Sequence, residues 1–196
     1  LSVAQESGLG IDYVESNSAW FSDPVKAEEI LLNLQSVGVY TLLVSISPFH
    51  NDHIPFARVQ GVIAACRRTG MQIFPWVNEF VSDLGQLDTH QTHAMAEFEA
   101  VFDESYIKRI LNRYWIHLGG RALKTFARVY PQQTLKETLT SSPLSCSRAL
   151  RDSSHFHIDL FGNYIPGLCA GLSIDMDDLG RALPSGKYPL LEVLSS

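Results

Sequence analysis

The sequence predicts an α/β fold, a parallel-stranded βα unit followed by a small α+β hairpin extension, and three observations predict it. Residues 10–77 alternate buried-strand and amphipathic-helix patterns in the order strand, helix, strand, helix, strand, which is the signature of a parallel sheet covered by helices. The stretch 39–47 is a nearly continuous apolar run of the kind buried on both faces of such a sheet. Between Cys146 and Cys169, residues 155–161 alternate as a strand, Gly162-Asn163 supplies a turn, and Tyr164 onward returns the chain.

The elements follow in order. A first strand over 11–15 runs into the polar loop Ser16-Asn17-Ser18, and Ser22 or Asp23 caps a helix with Pro24 in its first turn. Ile30, Leu31 and Leu34 form its apolar stripe and Gly38 stops it. Pro48 ends the second strand, 49–54 reads as a loop, and Pro55 opens a helix in which Val59, Val62, Ile63 and Cys66 share one face until Gly70. Cys66 is expected in the core as a small hydrophobe. Residues 71–77 make the third strand. Beyond Asn78 come a polar stretch, a helix near 94–102, a stronger one over 104–117, and a Ser/Thr-rich linker over 121–145 with a short helix at 134–139. An acidic loop, 175–178, reads as solvated, and 188–194 closes the chain.

Composition bounds the function. The chain has 196 residues, 45% hydrophobic and 18% charged, with a formal net charge of -6. That acidity argues against nucleic acid or an anionic membrane as a general partner. The charged fraction lies below the usual quarter, so more surface than usual is expected to face other protein. The apolar runs are too short to span a bilayer and no charged-then-apolar leader opens the sequence. Three cysteines do not make a secreted disulfide framework, and a cytoplasmic location is expected.

In parallel βα folds the reactive groups sit where the strands end and the βα loops converge. That rule nominates Glu15, Ser16 and Asn17 after the first strand, Ser45, Ser47 and His50 at and after the second, and Asn78 and Glu79 after the third. Ser45 and Ser47, two apart, are expected on one face of the strand. His50 and His53, with Asp52 or Glu79, are alternative ligands for the divalent metal of a hydrolase or isomerase. His155 and His157 alternate along a strand and share a face, which permits joint ligation and equally joint exposure. The two cysteines around the hairpin make half a metal site.

The loop DYVESNSAWFSD, the segment LLVSISPFHNDHIPFARVQGVIAACRRTGMQIF, LGGRAL and the hairpin HIDLFGNYIPGLC, in that order, together resemble a radical S-adenosylmethionine (radical SAM) enzyme. Ser16-Asn17 stands where that family has a TNG-like loop, and 44–47 where it has a V-x-x-S-like strand near the adenosine ribose. The resemblance implies a partial (βα) barrel over 1–125 and a SPASM- or twitch-like extension over 126–196. It implies S-adenosyl-L-methionine as cofactor near Asn17, Ser45, Ser47, His50 and Arg58, and a [4Fe-4S] cluster whose C-x-x-x-C-x-x-C ligands lie in a preceding half of the same barrel. It further implies an auxiliary iron-sulfur cluster held by Cys146 and Cys169, a peptide or small-molecule substrate, and an electron donor. The Asp-Gly that often follows the ribose-proximal serine is Pro48-Phe49 here. A non-catalytic cysteine-hairpin module that docks a partner is the third reading.

Overall fold

The computed structural model describes residues 1–75, 78–113, 116, 121–141, 152–166 and 172–195. The chain divides into two compact units, Leu1–Ile116 and His117–Ser196.

The first unit opens with α1 (Ser2–Glu6) and then β1 (Val14–Ser16). Asp23 caps α2 (Pro24–Ser36), accepting a hydrogen bond from the Lys26 amide. Gly38 follows the helix with φ of 84°, a left-handed conformation that glycine adopts without strain. Next come β2 (Thr41–Val44), a short α3 (Pro48–Asn51), α4 (Phe56–Thr69) and β3 (Gln72–Pro75). The three strands form one parallel sheet in the order β1-β2-β3, with Val14 opposite Leu42 and Leu42 opposite Ile73. The expectation of a mixed α/β fold with parallel strands in 10–77 therefore holds. Leu42, Leu43, Val44 and Ile46 are buried, as are Ala27 and Leu31 of α2 and Val59, Val62, Ala65 and Cys66 of α4.

Two boundaries differ from the sequence reading. The first strand lies at Val14–Ser16, and the second ends at Val44, with only the Ser45 amide continuing the ladder to the Ser16 carbonyl at 2.9 Å. Ser47 is no strand residue but the N-cap of α3, and Pro48 begins that helix. A Ser-Pro pair serves as a helix start as readily as a strand stop, and here it is the start.

The unit continues through α5 (Glu79–Leu84), α6 (Met95–Phe102) and α7 (Tyr106–Arg113). Their junction is an aromatic and ionic cluster. Tyr106 stacks on Phe98 and on Phe102, at centroid distances of 5.7 and 5.0 Å. Its hydroxyl donates to Asp83 Oδ2 at 2.7 Å, and Arg113 pairs with the same carboxylate while lying over the Phe80 and Tyr106 rings.

His93, just ahead of α6, is almost fully buried and uses both ring nitrogens. Nδ1 is 2.9 Å from Glu97 Oε2 and Nε2 is 2.8 Å from the Asp88 carbonyl. Two acceptors demand two donors, so the geometry favours the imidazolium. Burial pulls its pKa down, but the bonds to Glu97 and Asp88 outweigh it and the net shift is upward from 6.5. A raised folded pKa means stability that is fully present below the unfolded value and lost as pH rises through the folded one. Unfolding by urea between pH ~6 and ~9 is expected to show stability declining on the alkaline side, and His93→Gln is expected to flatten that limb.

The second unit holds α8 (Arg121–Phe126), α9 (Leu135–Ser141), an antiparallel hairpin of β4 (Phe156–Ile158) and β5 (Tyr164–Pro166), a 3-10 turn at Met176–Asp178 and α10 (Pro189–Ser195). The short helix expected at 134–139 within the linker is present as α9, and α8 adds a second one that the sequence reading did not place. α9 forms because Thr134 and Glu137 cap each other reciprocally, Thr134 N to Glu137 Oε2 at 2.7 Å and Glu137 N to Thr134 Oγ1 at 3.2 Å. The hairpin turn is closed by Asp159, whose carboxylate accepts from the Phe161 and Asn163 amides and from Asn163 Nδ2, while Gly162 takes φ of 82°. The acidic segment is not simply solvated. Asp178 accepts from Lys187 Nζ at 2.6 Å and from the Tyr188 hydroxyl at 2.7 Å. Among the described residues, no helix is long and apolar enough to cross a membrane.

Candidate functional site

Along β1, and reaching the residues that follow β1 and β2, lies an open cleft of 670 Å³, within the 300–1,000 Å³ typical of small-molecule sites. Its polar lining is Glu15, Ser16, Asn17, Ser45 and His50, and its apolar wall includes Trp20, Ile30, Leu34 and Leu42. Consecutive strand residues point to opposite faces, yet Val14, Glu15 and Ser16 all line it. The cleft therefore runs along the open edge of β1, which has β2 as its neighbour on the other side.

The loop after β1 is folded upon itself. Ser16 Oγ accepts from the Ser18 amide at 3.0 Å and from the Trp20 indole at 2.7 Å, and Asn17 Oδ1 accepts from the Ala19 amide at 3.0 Å. Ser18 is held at φ of 66° and fully buried, with no hydrogen-bond partner for its hydroxyl among the described residues. A non-glycine residue in this region costs about 1 kcal/mol or more and persists only where its surroundings over-determine it. Arg58 contributes from outside, donating to the Ala19 carbonyl at 2.9 Å. It holds the loop to α4 and does not line the cleft.

A second tether is steric. The Phe21 ring lies directly over Gly61 of α4, where a Cβ would collide with it. Gly61→Ala is accordingly expected to lower stability by about 1–3 kcal/mol, reversing the ~1 kcal/mol gain that the same change ordinarily brings in a helix. The urea midpoint reads the sign directly, and a stabilised variant would show that the loop moves freely off α4.

Ser45 Oγ donates to Glu15 Oε1 at 3.1 Å across the sheet. Ser47, by contrast, shares a proton with His50 Nδ1 at 2.7 Å and caps α3. The two serines thus have separate partners, and only Ser45 lines the cleft. Burial pushes the His50 pKa down, against an opposing pull from Glu15 and a further lowering by His53. The outcome is a neutral imidazole beside a carboxylate, able to donate or accept. Trp20 is the wall residue that sequence reading missed. Its signal is the spacing of four from Ser16 within a polar loop.

The residues considered for a metal do not gather. His53 is exposed beside Asp52, at 3.9 Å, while His50 turns inward to Ser47. Among the described residues, no group of three or more His, Cys, Asp or Glu side chains is placed to share a metal ion. Cys66 is buried in the core, where burial pushes its thiol up to about 11 and keeps it protonated. Cys146 and Cys169, the expected auxiliary ligands, lie outside the described residues.

What the fold and cleft define is an α/β protein with a ligand-sized opening along β1 of its parallel sheet. No protein-family profile, no curated protein and no solved structure matches the chain.

Proposed function

We propose that this chain is part of a radical SAM enzyme and holds the adenosine portion of S-adenosyl-L-methionine in the cleft along β1. The observation that carries the reading is the convergence of Glu15, Asn17, Ser45 and His50 on one opening whose other wall is Trp20, Ile30, Leu34 and Leu42. A nucleoside needs that combination, an apolar slot for its flat base and hydrogen-bonding groups for its ribose. Glu15 can accept from ribose hydroxyls, and Ser45, already its partner, can reorient towards the ligand. The self-bonded loop around Asn17 arrives pre-shaped, which lowers the ordering cost of binding.

The described residues do not fit an iron-sulfur cluster, since no three ligating side chains among them converge. On this reading the C-x-x-x-C-x-x-C ligands belong to a preceding half of the same partial barrel, whose neighbouring strand would pair with the open edge of β1. The hairpin unit then belongs to a SPASM- or twitch-like extension, Cys146 and Cys169 hold an auxiliary cluster, an electron donor serves the assembly, and the substrate is a peptide or small molecule. The described chain's own task is to bind, orient and exclude water. The hydrolase alternative needs His50 and His53 together, and their opposed settings weigh against it.

Calorimetric titration of the chain with S-adenosyl-L-methionine tests the proposal. Saturable binding is expected, weakened about tenfold in Ser45→Ala through loss of roughly one hydrogen bond. Absence of binding, or equal affinity in Ser45→Ala and Glu15→Gln, would overturn it.

A further inference from the structure

We propose that His155 and His157 form a two-imidazole chelate for a divalent transition-metal ion on the exposed face of the β4–β5 hairpin. The two Nε2 atoms lie 3.1 Å apart, with the rings at 83° to one another. For metal–imidazole bonds of about 2.0–2.1 Å, two nitrogens on one ion stand about 2.9 Å apart at a right angle and about 3.3 Å apart at a tetrahedral one. The observed separation falls between the two. The ion would enter between the rings with little rearrangement.

The hairpin explains why the rings converge. His157 lies in β4 opposite Ile165, and His155 immediately precedes that strand, so the pair shares one face. Phe156 lies on the other face, stacked on Tyr164 at 5.2 Å. That cross-strand stack, with the Asp159-locked turn, fixes the backbone from which both imidazoles project. Both rings are exposed, leaving an approach for the ion and room for water to complete its coordination. Two protein ligands and open positions describe an exchangeable site rather than a closed structural one. Imidazole suits copper, nickel and zinc, and the Irving–Williams order makes copper(II) the tightest of them.

Without metal the two Nε2 atoms share one proton. Binding moves that proton to Nδ1 of the ring that carried it, so both rings offer an Nε2 lone pair, and the ion sheds two waters in exchange. Acid competes for the same lone pairs, so affinity falls as pH is lowered.

This inference does not rest on the radical SAM reading, and its test needs no S-adenosyl-L-methionine. The full chain is titrated with copper(II) alone, followed by the nitrogen hyperfine pattern in electron paramagnetic resonance. Coordination by two imidazole nitrogens is expected. His155→Gln and His157→Gln should each weaken binding more than tenfold, and the double variant little further, because the second ligand binds intramolecularly. Both side chains are exposed, so circular dichroism should stay unchanged. Unchanged affinity in either single variant would overturn the proposal, as would two independent losses that simply multiply in the double variant.

Discussion

Phe98→Ala should remove about 3–5 kcal/mol of stability and lower the melting temperature of the first unit by roughly 10 °C or more. Phe98 is completely buried, stacks on Tyr106 and meets the edge of the His93 ring at 6.4 Å. Truncation opens a void at the point where α6 and α7 meet. The neighbours are themselves tied down, Tyr106 by Asp83 and His93 by Glu97 and Asp88, so the void cannot collapse. Phe98→Leu retains most of the volume and should lose less than half as much. Differential scanning calorimetry decides the matter, and a Phe98→Ala midpoint within about 2 °C of the parent would mean that this cluster is not part of the cooperative core.

Asp83→Ala is expected to cost about 3 kcal/mol. The carboxylate is the common acceptor of the Tyr106 hydroxyl and the Arg113 guanidinium, and its loss strands a buried hydroxyl beside a cation that is 26% exposed. Partial hydration of Arg113 keeps the penalty towards the lower end of the range for a broken buried pair. Asp83→Asn, which still accepts from Tyr106, should lose the ionic part alone and fall between. Because Phe98 and Asp83 both act on Tyr106, the double variant should lose less than the sum of the singles. Full additivity in denaturant midpoints would argue that the ring and the carboxylate are energetically independent.

The βα half of the fold was legible because its signals are local. Asp23 before Pro24, Gly38 and Gly70 after their helices, and the buried run at 41–46 each act within a few residues. The cluster of Asp83, Tyr106 and Arg113 was not, since its partners lie 23 and 30 residues apart and no periodicity links them. Ser45 and Ser47 show a finer limit. Spacing alone put them on one face, but the helical turn begun at Pro48 gave Ser47 to His50 and left Ser45 to Glu15. The cleft was nominated from the rule on strand ends, and Glu15, Asn17, Ser45 and His50 do meet there. Arg58, in the first turn of α4, does not line that opening and serves the loop instead. Within the linker read at 121–145, the short helix expected at 134–139 forms as α9, because Thr134 and Glu137 cap it locally, whereas α8 at Arg121–Phe126 carried no such signal.

The protonated, solvent-excluded thiol of Cys66 gives the molecule an internal clock. Only the thiolate attacks a disulfide reagent or alkylating agent, and with the side chain fully buried and the pKa pushed up to about 11 that attack must wait for α4 to lift from the sheet. In a Cys146→Ser, Cys169→Ser background, every labelling event would then record one opening of the Leu1–Ile116 unit. At low reagent the labelling rate reads the equilibrium population of the opened state, and at saturating reagent it reads the opening rate itself. Carried out with and without S-adenosyl-L-methionine, the same measurement would register the proposed binding as a slowing of the labelling of Cys66, which lies outside the lining of the cleft.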